Sequence, residues 1–139
     1  MEDVELSELL HRVSRRLRYG YKQRLEPLGL NPGQARALRA LAEADGPLRM
    51  VRLAEQLRIV PRSLTPVVDA LEEDGLVRRQ TDPSNRRSTL VVLTPEGLAT
   101  HERSREARRL AGQELFAVLS EEEREQLTRL LGTVDAQPS

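Results

Sequence analysis

Residues 76–94 read LVRRQTDPSNRRSTLVVLT. The stretch has the pattern of a β-hairpin with an arginine-loaded tip. The first arm carries Val77, Arg78 and Arg79. Asp82, Pro83, Ser84 and Asn85 follow: proline presets a turn angle, and the short polar side chains bond their own backbone. The return arm from Ser88 to Leu93 is rich in β-branched residues, which fit a pleated surface. Arg86 and Arg87 sit between turn and arm. Two adjacent guanidiniums on a projecting hairpin suit a groove or a phosphate row better than a core. Arg78 and Arg79 alternate across the strand, so at most one faces a ligand; Arg79 is taken as the candidate.

Two helical patterns precede the hairpin. Met50 to Leu57 places Val51, Leu53, Ala54 and Leu57 at core-like spacing, and a second helix from about Pro61 to Asp74 places Leu64, Val67, Val68 and Leu71 on one face. Gly75 stands where a left-handed C-cap is wanted. Two helices joined by about three residues form a helix-turn-helix, whose second helix enters a major groove. A basic hairpin after it makes a winged helix-turn-helix. Arg62, Ser63, Thr65 and Pro66 begin the recognition helix. An arginine there can pair with guanine, hydroxyls serve phosphates or bases, and Pro66 can meet a thymine methyl. Pro66 is also a helix breaker. Either the helix kinks at Pro66, or Thr65 caps a shorter helix; an extended first turn near Pro61 is the favoured reading. Arg49, near the start of the first motif helix, is a candidate phosphate anchor.

The 139 residues suit one domain, with aromatics at only 2 %, so a core of Leu, Val and Ala favours packed helices. The expected fold class is mainly α with a small β-hairpin. No cysteine is present, which removes disulfides, thiolate metal sites and thiol-based sensing. His11 and His101 are far apart and suggest neither a metal nor another cofactor. No apolar run approaches the ~20 residues of a membrane span, and the acidic start MEDVELSELL is unlike a signal peptide, so a cytoplasmic location is expected. No glycine-rich phosphate loop, nucleophile elbow or cysteine nucleophile is found, so an enzyme is not expected. Net charge is zero, but residues 46–94 hold eight arginines against six acids, with the arginines gathered at the helix start and the hairpin.

Val4 to Glu26 reads as a long helix with Leu6, Leu10, Val13, Leu17 and Tyr21 on one stripe. Asn31 caps the next helix with Pro32 in its first turn. Thr94 caps a long helix from Pro95 to about Leu119. Ser120 and Glu123 have capping-box spacing for a final helix with Leu127, Leu130 and Leu131 inward. The outer helices are too long to be satellites of a small winged lobe. Residues 30–94 are expected to form the DNA-binding lobe, and residues 1–29 and 95–139 a helical lobe. Its stripes call for a second copy and hence a two-fold homodimer, whose paired recognition helices meet half-sites about one helical turn apart.

The run from Leu53 to Gly97, LAEQLRIVPRSLTPVVDALEEDGLVRRQTDPSNRRSTLVVLTPEG, resembles the multiple-antibiotic-resistance regulator (MarR) family of bacterial transcription factors. The resemblance extends over nearly the whole chain and is most specific in LVxR, DPxxRR and LTPEG. It implies a homodimeric repressor on pseudo-palindromic double-stranded DNA, released by a small-molecule effector near the junction where Tyr19, Tyr21 and Lys22 lie. Against the family's Asp-x-Arg-Asp-x-Arg wing, Asp82 and Arg87 match, while Ser84 and Asn85 differ and Arg86 adds a charge. Val60 stands where a Ser or Thr cap is common, and Pro66 where a polar or basic reader is common. Arg86 is the stronger groove candidate, because Arg87 could instead pair with Asp82 across the turn. Rival readings are a winged-helix protein-interaction module and a non-specific architectural DNA binder.

Overall fold

The computed structural model describes residues 4–139, so the first three residues of the expected helical lobe and of the acidic start lie outside the described residues. The chain runs α1 (Leu6–Leu25), α2 (Pro32–Glu43), β1 (Leu48–Arg49), α3 (Met50–Leu57), α4 (Pro61–Glu73), β2 (Val77–Asp82), β3 (Asn85–Leu93), α5 (Pro95–Leu115) and α6 (Glu121–Asp135). Short 3₁₀ turns follow α1 and α5; the second, Phe116–Val118, ends α5 earlier than the expected Leu119. The expected mainly helical class with a small β-hairpin is what forms, the hairpin lying within a three-stranded antiparallel sheet.

Local chemistry sets the helix limits. Asn31 and Gln34 close a capping box at α2, as Ser120 and Glu123 do at α6, each satisfying two backbone N–H groups. Asn31 and Ser120 stand at the caps read from sequence. Arg58 ends α3 in the left-handed region at φ 55°, and its N–H returns to the carbonyls of Ala54 and Glu55. This turns the chain into α4 within three residues, although arginine bears a Cβ cost there that glycine would not. Gly75, at φ 75°, ends α4 as its position suggested.

The sheet is antiparallel with β3 central, in the order β1-β3-β2. β2 pairs with β3 from Val77↔Leu93 to Thr81↔Thr89, and β1 adds Leu48↔Val91 and Arg49↔Leu90. A strand of two residues carries no period that sequence could show, so β1 is an addition to the expected hairpin. The core lies between α2, α3, α4 and the sheet, with Leu38, Leu53, Leu64, Val68, Leu71 and Val91 fully buried. α5 leaves the sheet at Gly97, which lies against Leu76 and Leu93, and packs on α1 and α2, with Ser104, Ala107 and Ala111 among its buried small residues.

The long stripes at the chain ends behave differently from the expectation. Leu25 at the end of α1 is buried, Val13, Leu17 and Tyr21 are half-buried, and Leu6, Leu9 and Leu10 are exposed. In α6 no residue is buried; Leu127 is half-buried, and Leu130 and Leu131, expected inward, face solvent. The stripes have helical period, but only the second half of the α1 stripe is covered by this chain, chiefly by α5, while the start of α1 and the α6 ridge stay exposed among the described residues. Among the described residues no helix is long and apolar enough to cross a membrane.

Candidate nucleic-acid interface

α4 begins with Pro61 in its first turn and with Val60 before it, which gives no side-chain cap bond. The N-terminal end of the dipole is therefore left facing outward, the arrangement that favours anions. Arg62, Ser63, Thr65 and Pro66 are all exposed on the first half of α4. The helix starts at Pro61 and continues through Pro66, so the extended reading of its first turn holds and Thr65 is not its cap. The Thr65 hydroxyl donates back to the Pro61 carbonyl at 3.4 Å. Pro66 has no N–H to offer the Arg62 carbonyl four residues earlier.

The wing turn is built around Asp82, which is 6 % exposed. Its Oδ1 accepts from the Ser84 N–H at 2.9 Å and the Ser84 hydroxyl at 2.8 Å. Its Oδ2 accepts from Arg49 Nε at 2.8 Å. These groups hold the carboxyl below the usual aspartate range, the Ser84 N–H and hydroxyl contributing more than the guanidinium. Arg49, expected as a phosphate anchor, thus spends its Nε on the wing turn and pins β1 to the hairpin. It also takes the partner that sequence reading offered to Arg87. The two are 33 residues apart, and no local spacing announces them.

Asn85 Oδ1 accepts from the Arg87 N–H at 3.1 Å, so this residue too shapes the turn while its amide group stays exposed. Arg86 and Arg87 are exposed, and neither guanidinium has an acidic partner among the described residues. They are free cations beside a turn whose one acid is already neutralised.

Arg79, expected among the DNA contacts, is turned onto α4 instead. Its Nη1 meets Glu72 Oε1 at 2.9 Å, its Nη2 meets Asp69 Oδ1 at 2.6 Å, and its backbone N–H donates to Glu72 Oε2 at 2.8 Å. Glu72 is held below the usual carboxylate range chiefly by that N–H and then by the guanidinium. Arg78, on the opposite face of β2, is the exposed member of the pair. Sequence reasoning missed Asp69 and Glu72. Their spacing puts them on one face of α4, which was the available signal.

A second feature lies away from the wing. A cleft of about 1440 Å³ runs between α1 and α5, with Leu9, Val13, Leu110 and Leu115 along it and Arg12, Arg16 and Arg103 among its charged groups. Arg24 and Glu114 form an ion pair across it. His101 is buried on α5, and its Nδ1 has no hydrogen-bond partner. Among the described residues no group of three His, Asp or Glu side chains could hold a metal ion.

Comparison with known proteins agrees with this geometry. The MarR family profile matches residues 30–89, which cover α2, the helix-turn-helix and most of the wing. An uncharacterised HTH-type transcriptional regulator of Mycobacterium bovis, Mb0904, is 32% identical over 96% of this chain and 93% of its own. Wild-type MarR from E. coli in its apo form superposes with a TM-score of 0.86 at 29% identity, over 96% of this chain and 98% of that one. The Mycobacterium tuberculosis MarR family protein Rv2887, solved in complex with DNA, gives 0.80 at 29% identity over 95% and 98%. Likeness of this extent, in sequence along a whole relative and in fold down to the wing, means that the chain belongs to the MarR family.

Proposed function

We propose that this protein is a homodimeric, sequence-specific DNA-binding transcriptional regulator acting as a repressor. The observation that carries the reading is the pair of exposed arginines, Arg86 and Arg87, without acidic partners among the described residues, on a hairpin that Arg79 fastens to the second half of α4, the helix whose N-terminal half is exposed. In this reading the first half of α4 enters a major groove, with Arg62, Ser63, Thr65 and Pro66 toward base edges and phosphates. The wing reaches the adjacent minor groove with Arg86 and Arg87, and Asn85 lies beside them. Arg49 holds the wing in shape. The DNA-binding lobe is residues 30–94, and residues 1–29 and 95–139 supply the dimer lobe.

The α1–α5 cleft supports the dimer. Its volume of about 1440 Å³ exceeds the ~300–1,000 Å³ usual for a small-ligand pocket. An apolar helix ridge fits it better, and α6 of a second copy has such a ridge in Leu127, Leu130 and Leu131. A small-molecule effector, by the family resemblance, would lodge at the junction of the two lobes and change the separation of the two recognition helices. Both must fit at once, so a small shift weakens both half-sites together. The protein is then a cytoplasmic regulator with no catalytic role.

Selection of bound sequences from a random duplex pool, at near-physiological salt, tests the reading. A pseudo-palindrome with half-sites about ten base pairs apart is expected. No enriched sequence from a folded dimer would overturn specific regulation. Arg86→Ala should weaken the selected duplex and random DNA alike, and lower the salt slope by roughly 0.9 for each phosphate it no longer neutralises.

A further inference from the structure

We propose that Arg79 is a positioning residue for DNA recognition: it latches the wing to the recognition helix, cancels carboxylate charge there, and does not itself touch DNA. The inference rests on the DNA-binding reading above. It starts from the charges of α4 itself. The helix from Pro61 to Glu73 carries one cation, Arg62, against three acids, Asp69, Glu72 and Glu73. Alone, it is a poor helix to lay against a polyanion. Asp69 makes this acute. It lies seven residues after Arg62 on the same side of the helix, and its side chain is 61% exposed.

Arg79 answers that problem from the neighbouring strand. Thr65, Asp69 and Glu72 fall on one stripe of α4 at steps of four and three. The guanidinium reaches all three: Asp69 Oδ1 at 2.6 Å, Glu72 Oε1 at 2.9 Å and the Thr65 carbonyl at 3.5 Å. The Arg79 backbone N–H takes the other Glu72 oxygen, so both ends of that carboxylate are fixed by one residue. A planar guanidinium can serve two carboxylates at fixed angles, which an ammonium cannot. The same residue is therefore a fastener and a counter-charge. Val91, its partner across the hairpin, is fully buried, so the strand that bears Arg79 has a fixed seat. Wing and recognition helix are thereby held at one mutual angle, and Arg86 and Arg87 meet the minor groove only if that angle is kept.

The test uses the full-length protein and the duplex that it selects from a random pool. Arg79→Gln is expected to weaken binding about tenfold or more while leaving the salt slope unchanged, since every phosphate keeps its cation. Asp69→Asn and Glu72→Gln, added to Arg79→Gln, should restore the part of the affinity lost to uncompensated carboxylate charge and not the part lost with the latch, leaving the triple variant between Arg79→Gln and the native protein. Arg79→Lys keeps the charge but loses the two-carboxylate geometry, so it too should weaken binding; it carries the test if Arg79→Gln does not fold. A direct role on a phosphate predicts the opposite pattern, with a slope lower by roughly 0.9 per arginine, no recovery in the triple variant and near-native binding by Arg79→Lys. Either that pattern or unchanged binding by Arg79→Gln overturns the proposal. The latch is also read without DNA, as slow hydrogen exchange of the Arg79 amide that Glu72→Gln accelerates; a fast amide in the native protein sinks it. A native protein that binds no duplex while this amide stays protected instead overturns the DNA-binding reading.

Discussion

Leu64, Val68 and Leu71 on α4 and Leu127, Leu130 and Leu131 on α6 each form an apolar stripe on one face of a helix, with different surroundings. The first three are fully buried against α2, α3 and the sheet, while Leu130 keeps 54% of its surface exposed. The same contrast runs through α1, whose last residue, Leu25, is buried while Leu6 is 81% exposed. An apolar stripe states that a face must be covered, and it does not say by what. In the winged region the cover is local: short helices return on one another through Arg58, Gly75 and the hairpin. At the start of α1 and along α6 no such return exists among the described residues, and their apolar stripes are left exposed. Exposed patches of this length on a regulator read as an association surface.

The strongest way to break the comparison is at the joint between the two regions. Thr94 accepts from the Gly97 N–H at 3.0 Å, and its hydroxyl donates to the Gly75 carbonyl at 2.6 Å. This draws the start of α5 against the end of α4. A Cβ on Gly97 would lie 2.0 Å from the Leu76 carbonyl oxygen and 2.8 Å from Leu93 Cδ1. Backbone cannot yield as a flexible side chain can. Gly97→Ala should cost about 3 kcal/mol or more, read as the loss of folding free energy in urea. Gly132→Ala on α6, where nothing lies within 4 Å of the added Cβ, should not destabilise the fold. Equal effects at the two glycines would show that the joint is looser than its geometry.

The next test separates the regions. Leu131→Glu places a charge on the ridge of α6, at a side chain that is 42% exposed and outside the buried core. The winged lobe should keep its fold by near-native circular dichroism. The dimer should weaken by about 2–3 kcal/mol, or roughly a hundredfold in dissociation constant, read by sedimentation equilibrium. A dimer of native strength would leave the ridge without its proposed partner, and a loss of fold in the monomer would mean that the two regions are not separable.

The same contrast explains what the sequence disclosed. The hairpin, the cap at Asn31, the capping box at Ser120 and the start of α4 were legible because each is set by residues within a few positions of one another. Arg49 and Asp82 were not, because their pairing joins positions 33 apart through a two-residue strand. Arg79 was half legible. Alternation said that it and Arg78 face opposite ways, but which of them faces inward depends on the register with β3. Asp69 and Glu72 then complete a site that no single element contains. For the candidate interface, sequence found the cations but not which of them the fold had already engaged: Arg49 and Arg79 are tied to acids of the protein, while Arg62, Arg86 and Arg87 have no acidic partner among the described residues.

The smallest effect concerns the wing turn, and it sharpens the comparison within the winged lobe. Asp82 is held below the ordinary aspartate range by Ser84 first and Arg49 second. A carboxyl with a depressed folded pKa contributes stability in full above the unfolded value, about 3.9 for aspartate, and loses it as pH falls through the folded value. The wing should therefore stay intact through neutral and mildly acidic pH and loosen only below about pH 3.9. The Ser84 amide, which donates to Asp82 Oδ1 at 2.9 Å, is the reporter. Its chemical shift should titrate with a midpoint below that of an unfolded aspartate, and Asp82→Asn should abolish the step. Asp82→Asn should also weaken DNA binding less than Arg86→Ala does, because it loosens the wing's shape without removing a free cation. A midpoint at or above the ordinary value would mean that the turn does not hold the carboxylate, and that Arg49 is then free to serve as the phosphate anchor its position first suggested.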